Sequence, residues 1–155
     1  MRVLKIGALF MLLYTFALSS AAQSNRFPLT EPDYNKPRLF DDLPSKFPVD
    51  VKLLEALFDL PEGKPLSIAL TKGAHFQGKV VSKSDPNDPN VKSIVIKSTN
   101  RIGSAFTFAR LRNEDGSISY QGRMLSRKHS DAFEIQMENG QYVLTKIQLY
   151  DLLNE

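Results

Sequence analysis

Phe76-Gln77-Gly78-Lys79-Val80-Val81-Ser82-Lys83 recurs 44 residues on as Tyr120-Gln121-Gly122-Arg123-Met124-Leu125-Ser126-Arg127. Position by position the two stretches read aromatic, Gln, Gly, basic, aliphatic, aliphatic, Ser, basic. The downstream residues are parallel too: Ile94-Val95-Ile96 and Phe133-Glu134-Ile135 each lead through an Asn-to-Gly turn into another strand pattern. We read two copies of a three-stranded unit. A glycine inside a strand weakens it unless the sheet bends or another backbone comes close. Gly78 and Gly122 share the parity of their aromatic neighbours, so they predict two equivalent bends that curl a sheet round its own core.

Period-two alternation extends outward from these stretches in both directions. Strands are expected at Leu66–Thr71, His75–Lys83, Lys92–Ser98, Ala105–Arg112, Ser117–Arg127, Ala132–Met137 and Gln141–Ile147. Between them lie Lys72-Gly73-Ala74, Asp85-Pro86-Asn87-Asp88-Pro89-Asn90, Asn100 to Gly103, Asp115-Gly116 and Asn139-Gly140, which carry turn chemistry. Connectors this short make successive strands antiparallel neighbours. The expected fold is mainly β: an antiparallel meander of six to seven strands forming a small barrel or strongly coiled sheet. A short helical end is expected over Ile147–Leu153.

One helix is expected, over Asp50–Leu60. Asp50 caps it, Val51, Leu54, Leu57 and Phe58 form one apolar stripe widened by Leu53 and Leu60, and Pro61 ends it. It would close one end of the barrel in a single domain over residues 49–155. Before it, residues 23–48 hold five of the nine prolines, interspersed with Phe27, Leu29, Tyr34, Leu39, Phe40, Leu43 and Phe47. That arm reads as a strap packed on the domain in preference to a mobile partner-docking segment.

Residues 1–22 read as a secretory signal peptide. Arg2 and Lys5 precede an apolar run from Ile6 to Leu18, and Ser19-Ser20-Ala21-Ala22 offers small residues for cleavage after 21 or 22. The run is shorter than the roughly 20 residues of a spanning helix, so no membrane span is expected once the leader is removed. The 20 basic and 17 acidic side chains include two leader bases, so the net charge falls from +3 to +1 on cleavage. A nearly neutral domain has no electrostatic reason to seek nucleic acid. Absence of cysteine excludes disulfides and thiolate chemistry. The expected address is periplasmic or extracellular, and fits a bacterial protein.

Few residues point to chemistry. His75 and His129 are not spaced as metal ligands, and His129-Ser130-Asp131 reads as a polar loop. Asp85 to Asn90 lacks the Gly and Glu of a calcium loop. No catalytic residue, cofactor or metal is expected. A binding surface is the remaining possibility, and its candidates are Arg101, Phe106, Phe108, Arg110, Arg112, Arg123 and Arg127. Phe106 and Phe108 share a strand face with Arg110 and Arg112, a pattern suited to an acidic or carbonyl-rich peptide. The expected function is an exported, non-catalytic module that binds an extracytoplasmic protein or peptide. Alternatives are a carrier of small apolar ligands in the barrel interior, and an enzyme inhibitor or enzyme.

Overall fold

The computed structural model describes residues 35–151; the expected leader, residues 23–34 of the arm and residues 152–155 lie outside that range. Eight antiparallel strands form one sheet: β1 (Lys46–Pro48), β2 (Pro65–Thr71), β3 (Ala74–Lys83), β4 (Val91–Ser98), β5 (Ala105–Arg112), β6 (Ile118–Leu125), β7 (Asp131–Glu138) and β8 (Gln141–Gln148). Their order is β1-β8-β7-β6-β5-β4-β3-β2. From β2 to β8 the sheet is a meander, curled into an open half-barrel. The eighth strand, beyond the six or seven expected, comes from the arm: Phe47 pairs with Leu144 and adds β1 to the free side of β8.

Turn chemistry sets the hairpins. Asn139 and Gly140 both take positive φ, 49° and 80°, between Glu138 and Gln141, which pair directly. Two positive φ values are what a two-residue turn needs to match strand twist. In the β3–β4 connection, Asp85 Oδ1 accepts the Asn87 N–H at 2.9 Å and Asp88 Oδ1 accepts the Asn90 N–H at 2.8 Å. These carboxylates hold their own loop.

Side chains alternate as the period predicts. Phe76, Val80, Ile94, Ile96, Phe106, Phe108, Met124 and Phe133 are buried on the concave face. A Cβ added at Gly78 would lie 2.5 Å from Lys97 O and 2.7 Å from Ile96 Cγ2. One at Gly122 would lie 2.7 Å from Ile135 Cδ1 and 2.9 Å from Thr107 O. Both glycines therefore admit a close neighbour that any side chain would push away.

The helix is shorter than its apolar stripe suggests. Asp50 accepts the Lys52 and Leu53 N–H groups and starts α1 (Val51–Glu55), which tightens into a 3-10 segment at Ala56–Asp59. The tighter winding sets Phe58 on Phe108, with ring centroids 5.2 Å apart. Leu53, expected on the buried face, is 70% exposed. At the carboxyl end β8 runs through Gln148, into the stretch expected to turn helical.

The segment before β1 covers one end of the half-barrel. Phe40 is fully buried against Phe133. Asp131, itself buried, accepts the N–H groups of Leu39 and Phe40 at 2.6 and 2.8 Å. Lys146 Nζ donates to the carbonyls of Phe40 and Leu43 at 2.7 and 2.9 Å. A strap with few ladder bonds of its own thus has its backbone groups satisfied by charged side chains.

Candidate binding groove at the open seam

Because the sheet does not close, its two edges face each other across a seam, and the helical segment lies beside it. Phe47 and Pro48 of β1, Leu53, Leu54 and Leu57 of the helical segment, and Ser67 to Leu70 of β2 enclose a groove of about 390 Å³. Phe106 and Leu144 also line it. Its surface is apolar apart from Asp50 and Ser67, and Asp50 is engaged in capping α1. The concave interior behind it is filled: Phe76, Ile94, Phe106 and Phe133 are each at most 2% exposed, and Tyr120 and Tyr142 meet edge to face at 5.3 Å.

The two edges bordering the groove differ in chemistry. β1 has three residues, among them Lys46 and Pro48. β2 has seven residues, no charge, and a proline only at its first position. Leu66, Ile68 and Leu70 of β2 are half-buried and alternate with exposed Ser67 and Ala69. As the last strand of the sheet, β2 turns half of its backbone donors and acceptors away from β3.

The residues expected to form one binding surface are distributed over several places. Phe106 and Phe108 are core, 2% and 1% exposed, and Phe106 alone reaches the groove. Arg101 serves the strap: it donates to Leu39 O at 2.9 Å and to both oxygens of Asp42 at 2.9 and 2.6 Å. That contact holds the Asp42 carboxyl below its ordinary range, the hydrogen bond from Arg101 being the main cause. Arg110 lies 3.7 Å from Glu55, whose Oε1 accepts the Tyr120 hydroxyl proton at 2.8 Å. Burial, then the Glu55 bond, push the Tyr120 phenol up. Arg112 is exposed farther along β5. Arg123 points to the other face, paired with Glu134 at 2.7 Å, and the Arg127 carbonyl accepts Lys36 Nζ in the β6–β7 loop. Strand parity separates Arg123 from Arg110, and the turn position of Arg101 takes it to the strap.

The histidines stay apart. His129 Nδ1 meets Ser126 Oγ at 2.9 Å and His75 Nδ1 meets Ser67 Oγ at 3.5 Å. Among the described residues no three His, Asp or Glu side chains come together as a metal site requires. No helix among them is long and apolar enough to cross a membrane.

Sequence reasoning missed the groove. The signal was present in Leu66-Ser67-Ile68-Ala69-Leu70, an uncharged alternating strand, but its place at an edge depends on Lys46–Pro48 pairing with β8. Comparison with protein-family models, with curated proteins and with solved structures found no match to this chain.

Proposed function

We propose that the chain is an exported, non-catalytic module that binds an extended peptide or protein segment by adding it as a strand to β2. The supporting observation is the apolar groove of about 390 Å³ beside a bare seven-residue edge. Strand addition takes affinity from main-chain hydrogen bonds and selectivity from alternate side chains seated in a groove. β2 offers the first, and Leu57, Ile68, Leu70 and Phe106 offer the second. The protein already uses this mode once, where Lys46–Pro48 of the arm lies along β8. The expected leader would carry the module out of the cytoplasm.

Two copies of a three-stranded unit underlie the shape in this reading. Gly78 meets Ile96 and Gly122 meets Ile135, each an isoleucine of the strand that follows its own. Two such close approaches tighten the curl that brings β1 and β2 to one groove.

Hydrogen exchange tests the proposal with a synthetic peptide of seven residues in which apolar and Thr residues alternate. Slower exchange over Leu66–Leu70, abolished by Ile68→Lys, is the expected result. Unchanged exchange in β2, at peptide concentrations that saturate any binding signal, refutes it.

A further inference from the structure

Resting on the strand-addition reading, we infer that the segment bound at β2 is anionic on its outward side: apolar residues face the groove and carboxylates face solvent. The reason lies on the convex face beside β2. Lys79 of β3 stands directly opposite Lys97 of β4, both exposed. Like charges in directly opposed positions destabilise a sheet. Among the described residues neither lysine is in an ion pair. Lys64 immediately precedes β2 and Lys72 immediately follows it, and these also form no ion pair there. Glu62, in the turn before Lys64, pairs with none of the four.

The outward residues of β2 are Ser67 and Ala69, too short to screen this charge from a neighbouring strand. Pro65, at the start of β2, is the register partner of Lys79. A strand laid along the free edge sits about 5 Å beyond β2 and about 10 Å beyond β3. The Lys79 side chain crosses much of that distance beside Pro65. Outward carboxylates on the added strand would therefore meet Lys79 from one face and Lys64 or Lys72 at its ends, while Lys97, one strand farther off, leaves Lys79 without a cross-strand counter-ion. Outward lysines would meet three like charges. The same cations discourage β2 of a second copy from docking, because each copy brings its own set.

Three peptides with identical inward valines and outward Glu, Thr or Lys, titrated against the full chain, test the inference. The Glu peptide is expected to bind about three- to tenfold more tightly than the Thr peptide, the range of two exposed ion pairs. That gap should shrink as salt is raised. In the Lys64→Gln/Lys72→Gln/Lys79→Gln variant the Glu peptide should weaken to the level of the Thr peptide, which itself should be unaffected. Equal affinity of the Glu and Thr peptides, with β2 amides protected by both, overturns the charge inference and leaves strand addition standing. No protection of β2 by any peptide overturns both. Protection of β2 that rises with protein concentration without peptide assigns the edge to a second copy, and overturns the inference as well.

Discussion

β1 and β2 terminate the same sheet, yet β1 is three residues long with a lysine and a proline, whereas β2 runs seven residues without a charge. Phe47 of β1 is 6% exposed and packs on Phe133, with ring centroids 5.3 Å apart. Lys46 is paired with Glu138 at 2.7 Å. A short, charged, proline-bearing edge is how sheets avoid pairing with other chains. β1 has those devices along its whole length, whereas β2 has a proline only at its first residue and a register shift only near its end, after Ala69. The contrast separates two jobs: β1 completes the core, and β2 is left available. A bare edge over an apolar groove is an aggregation hazard unless something occupies it, which is the ground for proposing an occupant.

The largest expected effect comes from truncating the two edges in turn. Phe47→Ala removes a buried ring and should destabilise the fold by about 3–5 kcal/mol. Ile68→Ala, on the half-buried side of β2, should lose about 1 kcal/mol. Peptide binding should respond in the reverse order, weakening more for Ile68→Ala than for Phe47→Ala at temperatures where both remain folded. Chemical denaturation and peptide titration on the two variants measure this. Equal losses of stability at the two edges would break the comparison.

Asp131 sharpens it. Its carboxylate holds the Leu39 and Phe40 N–H groups, and the strap runs from there into β1. Asp131→Ala leaves both donors without that acceptor, for an expected loss of about 2–4 kcal/mol. Asp131→Asn, which keeps one acceptor oxygen, should fall between wild type and Asp131→Ala. Hydrogen exchange should quicken along residues 39–48 and not along β2. Faster exchange in β2 as well would mean that the strap supports both edges.

The alternation from Leu66 onward and the Asn139-Gly140 turn were enough to read an antiparallel meander, because hairpin pairing is local. Gly78 and Gly122 were read as two bends; the structure gives each a close neighbour that only glycine admits. The pairing of β1 with β8 was not legible, since it joins Phe47 to Leu144 across nearly the whole domain. Without it β2 has no opposing edge and the seam has no second wall. Composition shows the charge of the arginines without its direction. Arg101 and Arg110 spend theirs on Asp42 and Glu55, and Arg123 on Glu134. The register that sets Lys79 opposite Lys97 is likewise visible only in the sheet.

The smallest expected effect is a pH dependence confined to the β1 side. Arg101 lowers the Asp42 carboxyl below its ordinary value, mainly through their hydrogen bond. A carboxyl depressed in the folded state adds stability above its unfolded value of about 4, and that share is lost as pH falls through the lower folded value. The Asp42 side chain is 59% exposed, so salt should screen much of the gain. Melting temperatures of wild type and Asp42→Asn should therefore differ at pH 6 and low salt. The two curves should converge as the pH is brought well below 4. Binding of the outward-Thr peptide should be the same in both proteins throughout, because Asp42 lies in the strap and does not line the groove. Parallel melting curves across the whole range would show that the Arg101–Asp42 contact adds nothing to the strap, which would then rest on Asp131 and Lys146.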